Sequence, residues 1–168
     1  ANFNAGEFKV IIDRALVNAK KNGSSTTWCL NNHDQMRPAT KYGLDPAVDK
    51  VKWRNSNGSS APLDEAFGIS AAIAGSMLIM ALPGSTYIYQ GEELGLFEVE
   101  DIAQKDLQDP MWFRNVVPQL VKGKVSGLAL IHTEKGRDGC RVPLPWDSTK
   151  PSFGFGQEKS HLPQPQWF

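Results

Sequence analysis

The first stretch of the chain has the apolar spacing of an amphipathic helix. Its apolar positions recur every three or four residues: Phe8, Ile11, Ile12, Ala15, Leu16 and Ala19. The pattern predicts a helix over residues 7–22 with one buried face. Asn4 precedes it with a capping side chain, and Gly23 follows it as a residue that readily adopts the left-handed conformation of a C-terminal cap.

Two short runs of β-forming residues follow, separated by a second helical stretch. Residues 26–30 and 85–89 predict the strands, and residues 63–81 predict a helix that opens after Pro62 and is apolar over most of its circumference. Strands joined by a helical crossover are parallel. Each predicted strand ends in a polar cluster, so we expect both clusters at one sheet edge, where α/β proteins place their sites.

Little regular structure is predicted outside this pattern. Residues 31–60 are expected to form a loop, and the turn-forming composition of residues 55–60 predicts a solvent-exposed excursion. Residues 97–168 are expected to form an extended surface segment with a short helix over 101–109. Because so long a loop is uncommon unless it is functional, we expect it to form a wall of the site.

The charge balance excludes some classes of partner. The 168 residues carry 18 basic and 18 acidic side chains, so no overall field recruits nucleic acid or an anionic membrane. The longest apolar stretch, residues 69–82, is shorter than the roughly 20 residues that span a bilayer. The chain as given shows no signal peptide, and we expect a cytoplasmic protein with a neutral partner.

The cysteines and histidines do not predict a metal or a disulfide. Cys29 and Cys140 lie far apart without the spacing of a metal site, so we expect two reduced thiols. The three histidines, His33, His132 and His161, are scattered along the chain. We therefore expect no metal and no cofactor in this segment.

The polar cluster after the first strand, residues 31–37, suits a polyhydroxylated ligand. The carboxylate of Asp34 can accept hydrogen bonds from vicinal sugar hydroxyls, and the imidazole of His33 can donate another. An ionised carboxylate also stabilises positive charge that develops at an anomeric carbon. The alternative is a strand-end turn in which these side chains satisfy backbone groups.

Two further clusters carry candidate chemistry. Glu92 and Glu93, after the second strand, could supply a second carboxylate beside Asp34, or they could be solvated or hold nearby backbone amides. The sequence GRDGCRVPLPW at residues 136–146 contains two guanidiniums and an indole. An indole can stack on a pyranose and arginine can donate to hydroxyls, although surface packing with a structural salt bridge would use the same residues.

Together, these three segments resemble family 13 glycoside hydrolases. Residues 27–37 resemble the region around the seventh barrel strand, and residues 84–95 the region at the eighth. Residues 136–146 are similar to a loop of the α-glucosidase and oligo-1,6-glucosidase branch. The resemblance implies an α/β fold: residues 1–96 form the carboxy-terminal part of a TIM (β/α)8 barrel, and residues 97–168 form an extended loop segment after strand 8.

The resemblance also assigns roles to individual residues. It makes Asp34 the transition-state stabiliser and His33 a ligand of the same glucose, while Arg141 closes the pocket around that sugar. Arg37 supports the Asp34 loop, and Glu92 becomes a pocket-edge residue rather than a partner of Asp34 in catalysis. The nucleophilic Asp and the acid/base Glu of the family come from its fourth and fifth strands, upstream of this segment.

The implied function is that of part of a retaining α-glucosidase that hydrolyses terminal α-linked glucose from oligosaccharides. Without the nucleophile and acid/base the segment is expected to be inactive alone, and its open sheet edges call for the missing barrel portion or a second copy. Val142 and Leu144 stand where Thr and Met are frequent in oligo-1,6-glucosidases, so linkage preference stays open. One alternative is a non-catalytic carbohydrate-binding fragment. A metal-dependent hydrolase is disfavoured because His33-Asp34 has no second such pair.

Overall fold

The computed structural model describes residues 3–116, 135–158 and 160–162. Its regular elements are the helices and strands α1 Ala5–Lys21, β1 Thr27–Trp28, α2 Pro38–Gly43, α3 Lys50–Asn55, α4 Glu65–Ala81 and β2 Ser85–Thr86. Short helical turns follow at Gln104–Asp106, Trp112–Val116, Asp138–Cys140 and Pro151–Gly154. Within the described ranges, no helix combines the length and the apolarity that crossing a bilayer requires. His132 lies outside the described residues.

Helix α1 begins and ends where its flanking residues predict. The Asn4 side chain accepts hydrogen bonds from the backbone N–H groups of Gly6 and Glu7, at 2.9 and 3.1 Å, and Gly23 has a φ of +63°. The expected buried face is only partly covered, however, and no residue of α1 is fully buried. Ile11, predicted on that face, is 50% exposed, because the described part of the chain supplies no layer over it.

The two strands are parallel, as the crossover rule predicts. Thr27 pairs with Ser85 and Trp28 with Thr86, so each strand has two residues rather than the five that its composition suggested. Helix α4 connects them, and its first turn is capped by the Asp64 carboxylate, which accepts from the Phe67 N–H at 2.9 Å. The polar segments that follow β1 and β2 therefore leave the sheet at the same edge.

The prediction that residues 31–60 form a loop throughout was wrong. Helices α2 and α3 lie within this stretch, and α2 is largely buried against α4. The packing is close because Gly68 has no side chain: a Cβ there would lie 2.2 Å from the Ala39 carbonyl oxygen. Each of the two helices has six residues, too few turns for an apolar periodicity to show in the sequence.

The prediction that the chain beyond residue 97 is a surface segment was also wrong for part of that segment. Several of its apolar side chains form a buried cluster of their own: Val99, Ile102, Leu107, Trp112, Val142 and Leu162. The short helix predicted over 101–109 is a single turn, Gln104–Asp106. This cluster holds residues 135–146 against the segment that follows β2, and so positions the loop that contains Arg137 and Arg141.

Candidate functional site

The buried side chain of Arg37 joins three loops. Arg37 is 1% exposed, and its Nη1 and Nη2 atoms donate to the carbonyl oxygens of Gln90 and Cys140, at 3.1 and 3.0 Å. Its guanidinium carbon lies 5.4 Å from the centre of the Tyr89 ring. The loop after β1, the loop after β2 and the turn Asp138–Cys140 are thus held together by one planar cation.

Asp34 lies at this junction with its carboxylate between two arginines. Its Oδ1 atom accepts hydrogen bonds from Arg137 Nη1 at 2.6 Å and from Arg141 Nη2 at 2.9 Å. His33 Nε2 is 3.4 Å from the same oxygen, and the His33 carbonyl accepts from Arg141 Nε at 2.8 Å. The Asp34 side chain remains 42% exposed, so the carboxylate is oriented by its neighbours and still accessible to a ligand.

Arg137 is held in place from the other side by Asp109. Arg137 Nε donates to Asp109 Oδ2 at 2.7 Å, and Nη2 donates to Oδ1 at 3.2 Å, a two-pronged contact that matches guanidinium to carboxylate. Burial raises the pKa of Asp109, but the hydrogen bonds from Arg137 and Met111 outweigh it and bring the pKa to about 2. Asp138 Oδ2 accepts a hydrogen bond from the backbone N–H of Asp109 at 2.9 Å, and this contact helps to hold Asp109 in place.

A second buried carboxyl, that of Glu98, lies behind Arg37. Glu98 Oε2 accepts the Arg37 backbone N–H at 3.1 Å, while Oε1 has no hydrogen-bond partner and lies 3.9 Å from Arg54 Nε. Burial raises the pKa of Glu98 to about 7, against the opposing effect of Arg54 and Arg37. Burial, and to a smaller extent the charge of the nearby Glu98, raises the pKa of the Cys140 thiol to about 12. The thiol is therefore protonated and unreactive at neutral pH.

Glu92 and Glu93 stabilise the turn after β2. Glu92 Oε2 accepts the Tyr89 N–H at 3.0 Å, and Glu93 Oε2 accepts the Gly91 N–H at 2.8 Å. Burial raises the pKa of Glu92. No described hydrogen bond or ion pair joins either side chain to Asp34, and the geometry fits the interpretation that they hold backbone amides.

The structure therefore brings together Asp34, His33 and Arg141, and it places Arg37 behind them as a support. Sequence reasoning gave no role to Asp109 or Glu98, and it named Arg137 only as one of the two guanidiniums of the third motif. Asp109 and Glu98 lie in a segment without periodicity, so no local pattern marked them. Of the described residues, no three His, Cys, Asp or Glu side chains are grouped as metal ligands.

This arrangement can bind and polarise a neutral polyhydroxylated ligand. An accessible carboxylate accepts hydrogen bonds from hydroxyl groups, and the adjacent guanidinium and imidazole groups donate to hydroxyl oxygens. The carboxylate would also stabilise a neighbouring carbon on which positive charge develops. The exposed indole of Trp146, whose ring centre is 6.4 Å from that of Phe155, offers a flat apolar surface on the same loop.

Two glucosidases are among the known proteins with similar sequences. A probable alpha-glucosidase of Rhizobium meliloti (strain 1021) is 32% identical over 136 residues, which cover 81% of this chain and 18% of that protein. The oligo-1,6-glucosidase IMA5 of Saccharomyces cerevisiae is 28% identical over 165 residues, 93% of this chain and 25% of that protein. The chain thus spans about a fifth to a quarter of the length of these relatives.

Among solved structures, the trehalose-6-phosphate hydrolase (TreA) of Bacillus licheniformis superposes with a TM-score of 0.57 at 26% identity, covering 99% of this chain and 26% of that one. The likeness supports an α/β barrel fold. The family model described as "Alpha amylase, catalytic domain" matches residues 1–168. A match over every residue decides the family: the chain belongs to the alpha-amylase family of glycoside hydrolases, in the branch of the α-glucosidases and oligo-1,6-glucosidases.

Proposed function

We propose that this chain is the carboxy-terminal part of the barrel of a retaining α-glucosidase, which hydrolyses terminal α-linked glucose from oligosaccharides. The observation that carries the proposal is the accessible carboxylate of Asp34, held by Arg137 and Arg141 at the edge where both parallel strands end. The glucosidase names of its relatives agree with a substrate of this class.

In this proposal Asp34 orients the terminal glucose and does not attack it. Vicinal hydroxyls of the sugar donate to the carboxylate, and these hydrogen bonds strengthen as the ring becomes oxocarbenium-like in the transition state. His33 and Arg141 donate to the same sugar and close the pocket around it. Arg37 holds the three loops at the spacing that the sugar requires, and Glu92 stays at the pocket edge as a support of the β2 turn.

The covalent steps use residues outside this segment. A nucleophilic Asp and an acid/base Glu on earlier strands would form and hydrolyse the glucosyl-enzyme intermediate, so the segment alone is inactive. The reaction needs neither a cofactor nor a metal. Both cysteines are free, which supports a reducing compartment, and we place the protein in the cytoplasm.

We place β1 and β2 as the seventh and eighth barrel strands, with residues 1–96 in the barrel and residues 97–168 as the loop segment after it. Apolar side chains on the outer face of α4, such as Met77 at 63% exposure, then contact the rest of the barrel. The buried amide of Asn31 supports this, since neither of its polar atoms meets a partner in the described ranges. A second copy of the chain is the alternative partner for these surfaces.

The test of this function is Asp34→Asn in a polypeptide that joins this segment to the remaining barrel strands. We expect kcat on nitrophenyl α-glucoside to fall about a hundredfold or more, because the amide cannot match a carboxylate's stabilisation of positive charge. The melting temperature should change little, since an Asn oxygen still accepts from Arg137. The exposed Asp13→Asn is the control; equal losses of activity in the two variants, or a fall in stability that accounts for the lost activity, would refute the assignment.

The second candidate is a sugar-binding segment without catalysis. It is favoured by one observation: Asp34 and Arg141 are assembled here, yet Glu92 and Glu93 are occupied by backbone amides. Calorimetric titration with glucose and a nitrophenyl α-glucoside assay, both on the polypeptide that joins this segment to the remaining barrel strands, separate the two candidates. Binding of glucose by the barrel-joined polypeptide without any hydrolysis would favour this candidate.

A further inference from the structure

Asp34 belongs to a group of four charged side chains that contact one another. Arg137 Nη1 and Arg141 Nη2 donate to Asp34 Oδ1, at 2.6 and 2.9 Å. Both guanidiniums also border the carboxylate of Asp109, because Arg137 Nε donates to Asp109 Oδ2 at 2.7 Å and Arg141 Nη1 is 3.8 Å from the same oxygen. Two negative and two positive groups therefore meet at this point, and their formal charges cancel.

The two carboxylates of this group differ in their access to solvent. The side chain of Asp34 is 42% exposed, whereas that of Asp109 is 0% exposed and cannot reach a ligand. Burial raises the pKa of Asp109, but hydrogen bonds from Arg137 and Met111 outweigh burial and bring it to about 2, so this carboxylate is ionised at neutral pH. Asp109 is therefore a buried negative charge beside both guanidiniums.

Two guanidiniums have opposing effects on the single carboxylate of Asp34. Their hydrogen bonds fix its direction, but two positive charges against one negative charge would give the site a net positive potential. Such a potential opposes positive charge on a bound ligand, whereas a stabiliser of an oxocarbenium-like ring must favour it. Asp109 supplies the second negative charge and thereby offsets this effect.

Asp109 differs from the neighbouring buried acid, Asp138, in what it contacts. Asp138 Oδ2 accepts the backbone N–H groups of Gln108 and Asp109, at 2.7 and 2.9 Å, so that carboxylate supports the backbone. Asp109, in contrast, binds the guanidinium of Arg137 through both of its oxygens. Of the buried acids in the described ranges, Asp109 is the one that lies within ion-pair distance of both site arginines.

We propose that Asp109 is a positioning residue that acts on the candidate sugar through the two arginines. It balances their charge, so that Arg137 and Arg141 orient Asp34 without cancelling the negative potential that Asp34 presents to the ring. The inference rests on the proposed function for the position of the sugar, and on the contacts among the four charged side chains for the role of Asp109. A ligand with a positively charged ring should then depend on Asp109 far more than a neutral ligand of the same shape.

The test compares two such ligands in the polypeptide that joins this segment to the remaining barrel strands. Glucose is neutral, and 1-deoxynojirimycin is a glucose analogue whose ring nitrogen carries a positive charge at pH 6. Calorimetric titration gives the ratio of their affinities. In Asp109→Asn this ratio should shift against the cationic ligand by about tenfold or more, the effect of one charge roughly 10 Å away at an effective dielectric constant of about 20.

Two more variants separate the effect of charge from a loss of loop structure. Arg137→Gln removes one positive charge and should shift the ratio in favour of the cationic ligand. Asp109→Asn combined with Arg137→Gln restores the charge balance and should return the ratio toward that of the unmodified polypeptide. A loosened loop would instead weaken both ligands alike, most of all in the double variant. If Asp109→Asn does not fold, the direction of the shift in Arg137→Gln decides the question.

The control is Asp101→Asn, which removes one negative charge from an exposed position in the same segment and should leave the ratio unchanged. An unchanged ratio in Asp109→Asn, or a shift against the cationic ligand in Arg137→Gln, would overturn the inference and leave the proposed function intact. If the unmodified polypeptide binds neither ligand, the proposed function fails, and the inference fails with it.

Discussion

The buried carboxyl of Glu98 should make the fold less stable as the pH rises, and Glu98→Gln should remove that loss. Glu98 is 2% exposed, and only one of its carboxyl oxygens has a hydrogen bond, from the backbone N–H of Arg37. Arg54 Nε is 3.9 Å from the other oxygen, too far for a hydrogen bond. Desolvation therefore outweighs the attraction of the two arginines, and the carboxyl is held more easily in its neutral form.

The magnitude follows from the pKa in the two states. Burial raises the pKa of Glu98 from 4.5 to about 7, so the folded state binds a proton more tightly than the unfolded state. The stability that this group contributes is fully present below pH 4.5 and is lost as the pH rises to about 7. At about 1.4 kcal/mol for each pH unit, the loss is roughly 3 kcal/mol. Glutamine has no charge to bury, and its amide oxygen can still accept from Arg37.

The assay is urea unfolding of the chain at pH 5 and pH 8, with Glu158→Gln as the exposed control. Glu98→Gln should resemble the unmodified chain at pH 5 and exceed its free energy of unfolding by up to about 3 kcal/mol at pH 8. The control should show no such pH dependence. If Glu98→Gln differs from the unmodified chain equally at both pH values, the carboxyl is not held neutral by burial. A greater destabilisation at pH 8 would mean that Arg37 and Arg54 require its charge.

Three further substitutions test the supports of the site and the packing of α2 on α4. Asp109 should affect stability with the opposite dependence on pH. Its pKa is lowered from 3.8 to about 2 in the folded state, so the stabilisation by this carboxylate is present above pH 3.8 and is lost toward pH 2. Acid titration followed by near-ultraviolet circular dichroism should therefore show a shallower loss of folded structure at acid pH in Asp109→Asn than in the unmodified chain. Gly68→Ala puts a methyl 2.2 Å from the Ala39 carbonyl and should cost about 2 kcal/mol in urea unfolding, whereas Gly156→Ala, with no atom within 4 Å, should be neutral. Arg37→Lys should lower the free energy of unfolding by about 1–3 kcal/mol, because one ammonium cannot bridge two carbonyls as a guanidinium does. A lower melting temperature should show this loss.

The parts of the fold that were predictable from the sequence are those that local rules determine. Asn4 and Gly23 identify the ends of α1 because capping depends on neighbouring residues only. The parallel order of β1 and β2 follows from the helix between them. The buried face of α1 was not correctly predicted, because burial depends on what lies opposite, and the described residues leave that face partly uncovered.

Structure that arises from contacts between distant segments left no local pattern. Helices α2 and α3 are short, and α2 is buried by its contact with α4 across Gly68 rather than by an apolar stripe. The cluster that includes Trp112, Val142 and Leu162 joins residues far apart in the chain that are irregularly spaced. A periodicity test evaluates one segment at a time, so it cannot detect a core that three irregular segments build together.

The contacts that orient Asp34 were also not fully predictable from local sequence patterns. The resemblance assigns Asp34 and Arg141 to the same glucose, and in the structure Arg141 Nη2 donates to Asp34 Oδ1 at 2.9 Å. Arg137 makes the shorter contact, at 2.6 Å, and it is fixed by Asp109, which lies 28 residues earlier in an aperiodic segment. The single turn Asp138–Cys140 between the two arginines brings both guanidiniums to one carboxylate, yet motif spacing does not indicate which of them has a second acidic partner. The residue that orients the candidate sugar-binding carboxylate is therefore itself fixed from outside all three motifs, by a buried acid whose importance only the folded geometry reveals.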